Sequence, residues 1–114
     1  MIGISTHVLD VSRGIPAAGV PVILEHEATA NRWRVVTNTK TDDDGRVKEL
    51  LTPGTKLAPG AYRLRVETGA YWKHAKLECF HPRVEVAFTV VDVKRHYHVP
   101  LLVSPFGYTT YRGT

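Results

Sequence analysis

Ala61-Tyr62-Arg63-Leu64-Arg65-Val66-Glu67-Thr68 is the stretch on which the fold turns. Apolar side chains at 62, 64 and 66 alternate with charged ones at 63, 65 and 67. That period of two belongs to a strand with one face on a core and the other in water. Pro59-Gly60 breaks the chain just before it, and Pro53-Gly54 opens a long surface loop upstream. Outward from this segment, the same short alternating runs recur between turn signals. They predict strands at 2–9, 20–26, 32–39, 46–51, 83–92, 94–104 and 108–112. In the second of these, Val20, Val22 and Leu24 share a face, with Pro21 suited to a strand entry or an edge. Asp42-Asp43-Asp44-Gly45 has tight-turn chemistry. The one helical candidate is 68–76, with Thr68 placed to cap it and Tyr71, Trp72 and Ala75 forming a short apolar stripe. Eight strands and one short helix make an all-β sandwich.

At 114 residues, with 43% hydrophobic and 23% charged composition, we expect a single domain over 1–114 with one modest core. Fifteen basic residues against eleven acidic ones leave a net charge of +4. The basic residues are scattered rather than gathered on one face, so no nucleic-acid partner is expected. No apolar run approaches membrane-spanning length, and none of the leader patterns opens the chain. The lone Cys79 has no partner for an internal disulfide and reads as a buried structural thiol. A protein of a reducing compartment, the cytoplasm, is the expectation.

Six histidines are the chief chemical resource. His96 and His98 fall on one face of a strand, with Tyr97 opposite, and His7 lies in the first strand. As a metal set, these three would resemble a His-rich zinc triad, but no carboxylate accompanies the pair. The acidic turn is not a calcium loop, since aligning Gly45 to the loop glycine puts Lys40 first and Leu51 last. No serine or threonine sits in a strand–turn–helix elbow. His26, His74 and His81 carry no spacing signal.

The final stretch, His96-Tyr97-His98-Val99-Pro100-Leu101-Leu102-Val103-Ser104-Pro105-Phe106-Gly107-Tyr108-Thr109-Thr110-Tyr111-Arg112-Gly113-Thr114, resembles the C-terminal signature of the transthyretin-like family. More narrowly it resembles that family's 5-hydroxyisourate hydrolases. Ser5-Thr6-His7-Val8-Leu9-Asp10, Thr41-Asp42-Asp43-Asp44-Gly45-Arg46 and Tyr71-Trp72-Lys73 agree in order and spacing. The resemblance spans essentially the whole chain. Its most specific part is the Tyr-Arg-Gly-Thr ending, where the family more often has a final serine and the hormone carriers lack the motif.

The resemblance implies two four-stranded antiparallel sheets in a sandwich, with one short helix after the fifth strand. It implies a homotetramer with a groove where two dimers meet, and hydrolytic ring opening of a small oxidised purine. His7, Arg46 and His98 would be catalytic, and His7, Arg46, Tyr111 and Thr114 would bind substrate. Imidazoles suit proton transfer near neutral pH, and a guanidinium suits a developing oxyanion. That set needs no metal and no organic cofactor. The competing expectation is a carrier that uses the same groove without catalysis.

Overall fold

The computed structural model describes residues 2–114; Met1, where the expected domain begins, lies outside them. The strands are β1 (Ile4–Asp10), β2 (Ile15–Pro16), β3 (Pro21–Thr29), β4 (Arg32–Lys40), β5 (Arg46–Val47), β6 (Gly60–Val66), β7 (Val84–Val90), β8 (Tyr97–Ser104) and β9 (Gly107–Thr110). One helix, α1 (Thr68–His74), follows β6. The first sheet runs β2-β1-β8-β9, with β5 also paired to β1, and the second runs β4-β3-β6-β7. β8 occupies one edge of β1, so β5 at Thr6–His7 and β2 at Leu9–Asp10 share the other edge in succession. The first sheet is therefore four strands wide although it holds five segments.

The alternation read along the chain holds in the core. Tyr62, Leu64 and Val66 from β6 and Val22 and Leu24 from β3 are buried against Ile4, Val8, Val99, Leu101 and Val103 of the facing sheet. On the outer side of the second sheet, Arg63 reaches Glu25 at 2.9 Å and stacks over Trp33 at 4.4 Å.

Several expected boundaries move. The strand expected at 46–51 shrinks to two residues, because after Val47 the chain leaves the β1 edge and only Leu50 N–H returns, to the Ile4 carbonyl at 2.9 Å. The strand expected from 94 begins at Tyr97, since the preceding residues turn around Asp92, which accepts from Arg95 and Lys94 N–H. The strands expected at 83–92 and 108–112 shorten to β7 and β9. β1 and β8 run parallel, a detail within the sandwich that the all-antiparallel expectation missed. Thr68 does not cap α1. Glu67 holds the N-cap position without a side-chain bond, and the Thr68 hydroxyl is buried without a partner among the described residues. Tertiary packing holds this seven-residue helix instead, through Trp72, which is 1% exposed. Cys79 is half-buried at the core margin rather than fully buried.

Candidate active site

Because Ile4, Thr6 and Val8 point into the core, Ser5 and His7 point to the outer face of the first sheet. The parallel register sets Ser5 beside His98 and His7 beside Pro100. On the other edge, His7 faces Arg46. Ser5, His7, Arg46 and His98 thus share one outer face, though they come from three strands.

The acidic turn delivers Arg46 to this face. Asp42 Oδ1 accepts the backbone N–H groups of Asp44 and Arg46, each at 2.9 Å. These bonds hold the Asp42 carboxyl below its usual range, with the Arg46 N–H the larger contributor. Gly45 has φ 75°, and a Cβ there would lie 2.4 Å from the Val8 carbonyl oxygen, so the turn requires glycine. The Asp44 carbonyl then accepts from His7 Nε2–H at 2.9 Å. Among the described residues Arg46 has no acidic partner; the pairing with Asp44 that would have made it a mere turn cap does not form.

His98 is held on three sides. Ser5 Oγ lies 2.8 Å from its Nδ1, and its carbonyl accepts Gly113 N–H at 2.8 Å. Gly113 itself packs on the imidazole, where a Cβ would approach Cδ2 to 2.5 Å. His96 Nε2 lies 2.7 Å from the same Ser5 Oγ. Ser5, Thr6, Arg46, Lys48, His96, His98 and Thr114 line one cavity of about 380 Å³. Burial first, then the cationic surroundings of Arg46, His7 and His96, holds His98 below the ordinary histidine pKa. Burial does the same to His96.

Of the expected site residues, Arg46, His98 and Thr114 meet at this cavity. His7 stands on the same face beside Arg46 without lining it. Tyr111 does not join them. It is 59% exposed and lines a second cavity with Phe88, Tyr97 and Arg112, to which His98 also contributes, so His98 borders both cavities. Among the described residues no group of three His, Cys, Asp or Glu side chains is arranged to hold a metal ion.

A profile of the HIUase/Transthyretin family matches residues 4–113. The chain belongs to this family. The 5-hydroxyisourate hydrolase of Mus musculus is 45% identical over 112 residues, spanning 97% of this chain and 94% of the mouse protein. The structure of Klebsiella pneumoniae 5-hydroxyisourate hydrolase matches with a TM-score of 0.86 at 36% identity, over 100% of both chains. Sea bream transthyretin in complex with thyroxine matches with a TM-score of 0.90 at 31% identity, over 97% of this chain and 94% of that one. The transthyretin-like sandwich is thus common to an enzyme and a hormone-binding protein, and the lining of the site has to separate them.

Within this HIUase/transthyretin fold, three contributors were not singled out from sequence: Ser5, Lys48 and the close approach of Gly113. Ser5 was within reach, because it lies two residues before His7 on a strand and must share its face. The same rule applies to Lys48, two residues after Arg46 in the strand expected at 46–51, whereas the approach of Gly113 to His98 depends on the path of the tail. Two other histidines have structural roles: His26 stacks on Tyr62 at 4.4 Å, and His81 packs edge-on against Tyr108 at 5.1 Å.

Proposed function

We propose that this chain hydrolyses 5-hydroxyisourate, a small oxidised purine, to 2-oxo-4-hydroxy-4-carboxy-5-ureidoimidazoline in urate degradation. The observation that carries this is the His98 imidazole, clamped by Ser5 and Gly113 at a cavity it shares with Arg46 and Thr114. Nδ1 is occupied by Ser5, so Nε2 is the nitrogen that takes a proton from the attacking water. The water oxygen bonds to the ring carbonyl carbon, and the Arg46 guanidinium stabilises the oxyanion that forms. When the C–N bond breaks, the departing nitrogen needs a proton. His7, held through Nε2–H by the Asp44 carbonyl, offers Nδ1 in its protonated form for that transfer. Thr114 contributes a hydroxyl at the cavity wall, and Tyr111 lines the second cavity that His98 borders.

Arg46 and Lys48 make the cavity cationic, which suits a substrate that is anionic near neutral pH. The carrier alternative has the thyroxine-bound fold in its favour. An apolar hormone would, however, meet histidine, arginine, lysine, serine and threonine here. The proposal includes a single domain over 1–114, a homotetramer with the groove where two dimers meet, and a cytoplasmic location, consistent with a single unpaired cysteine. No described helix is long and apolar enough to cross a membrane. The test is spectrophotometric: freshly generated 5-hydroxyisourate should decay faster with the protein than without it. An unchanged decay rate with tight ligand binding would favour the carrier.

A further inference from the structure

Ser5 Oγ stands 2.8 Å from Nδ1 of His98 and 2.7 Å from Nε2 of His96. A serine hydroxyl has one proton and two lone pairs; accepting from both rings would leave its own proton without an acceptor among the described residues, so satisfying it means donating to one ring and accepting from the other. The two imidazoles are therefore coupled. If Ser5 donated to His98, the one ring proton of neutral His98 would sit on Nε2. The nitrogen left for the cavity would then have no lone pair to accept a proton from water. In the opposite arrangement His98 Nδ1–H donates to Oγ and Nε2 keeps its lone pair. The Ser5 O–H then turns to His96 Nε2, which places the His96 proton on Nδ1, a buried atom with no partner among the described residues.

We propose that Ser5 and His96 are positioning residues which, through one shared hydroxyl, hold His98 in the tautomer whose Nε2 lone pair is free for water. This rests on the assignment of His98 as the base. In a serine-protease triad a carboxylate orients the histidine and stabilises its charged form. Here the orienting chain is neutral: hydroxyl, then imidazole. The groups facing His98 are Ser5 and His7 from β1, Arg46 from β5 with Lys48 beyond it, Arg95 and His96 before β8, and Tyr111, Arg112, Gly113 and Thr114 of the tail. No carboxylate side chain is among them; burial first, then the charges of Arg46, His7 and His96, favours neutral His98, and the tautomer matters only in that form.

The two positions respond differently to substitution. Ser5→Ala removes both bonds and leaves the His98 tautomer unbiased. His96→Leu leaves the hydroxyl without its acceptor, so the Ser5 proton turns back to His98 Nδ1 and drives His98 to the Nε2–H form. His96→Gln retains a carbonyl oxygen that can accept from Ser5, and should restore the original tautomer.

Nitrogen-15 NMR of the histidine rings at pH 8 reads the proton positions directly. The expected result is Nδ1–H on both His96 and His98 in the wild type, and Nε2–H gaining population on His98 in Ser5→Ala and dominating in His96→Leu. With the competent tautomer rare in His96→Leu, kcat should fall about 10-fold or more there, and about 2-fold in Ser5→Ala, where part of His98 stays competent; KM should change little in either, and His96→Gln should recover most of the loss. Wild-type His98 carrying its proton on Nε2 overturns the proposal. So does an unchanged tautomer and kcat in both Ser5→Ala and His96→Leu. A wild-type chain that leaves 5-hydroxyisourate untouched would instead sink the hydrolase function, and the two failures are distinct because the NMR measurement needs no turnover.

Discussion

Gly113 lies flat against the imidazole of His98: a Cβ there would be 2.5 Å from Cδ2, while the Gly113 N–H donates to the His98 carbonyl at 2.8 Å. Non-bonded carbons settle at about 3.5–4.0 Å, so Gly113→Ala must move the ring or the tail by about 1 Å. A displacement of that size at reacting groups can cost about 100-fold. We expect kcat/KM to fall by about that factor, with circular dichroism and the melting temperature almost unchanged. Full turnover in this variant would mean that the tail does not clamp the base.

His98→Gln should lower turnover by about 10²–10⁴-fold, the usual contribution of a general base. Arg46→Ala and His7→Ala should each cost about 10²-fold or more without loss of fold. His96→Gln should cost far less, since His96 acts through Ser5. An inactive but folded His96→Gln alongside an active His98→Gln would exchange the two histidines' roles.

Acidification should inactivate the enzyme late. His98 is held below the ordinary histidine value of 6.5 by burial and by the charges of Arg46, His7 and His96, so its neutral form persists to lower pH. The acid limb of kcat/KM should fall below pH 6.5, and an NMR titration of His98 should agree. Arg46→Gln removes one facing cation and should move that titration upward. A downward move would show that Arg46 does not act on His98 through its charge.

Asp10, whose carboxyl is fully buried, joins β1 to the helix. Ser12 Oγ at 2.6 Å, Tyr71 Oη at 2.7 Å and Arg13 Nε at 2.8 Å all donate to it. Burial alone would raise its pKa, but together these bonds lower it from 3.8 to about 2. A depressed carboxyl stabilises the fold fully above its unfolded value and ceases to do so as pH falls through the folded one. The size is about 2 kcal/mol. Asp10→Asn should therefore destabilise by about that amount at pH 7, with the gap to wild type closing between about pH 4 and 2. Tyr71→Phe should cost about 1 kcal/mol. Urea denaturation across that range checks both, and a gap independent of pH would remove Asp10 from this role.

Light scattering at micromolar concentration should give four times the chain mass. Tyr111, Phe106 and Ile15 are large and exposed, as expected of side chains that neighbouring subunits cover. A monomer that still turns over substrate would show that one chain holds the complete site.

The alternation in residues 61–68 was enough to orient β6, because side chains on a strand change face at every residue wherever the strand sits. The same local rule put His96 and His98 on one face, and both now meet Ser5 Oγ. The Asp42–Gly45 turn was equally plain, since its geometry is set by an Asx side chain and one glycine. Strand lengths were less so: nothing in Arg46–Val47 itself announces that pairing with β1 stops after two residues.

Which strands become neighbours, and in what register, follows from long-range packing. Parallel pairing of β1 with β8 brings Ser5 to His98 across 93 positions of sequence, and the β1–β5 pairing brings His7 to Arg46 across 39. Alternation assigns each residue to a face, but register is set by packing among distant segments. For that reason alternation alone cannot pair Ser5 with His98, and Tyr111, three residues before the Thr114 that reaches the cavity, lines the neighbouring one that His98 also borders.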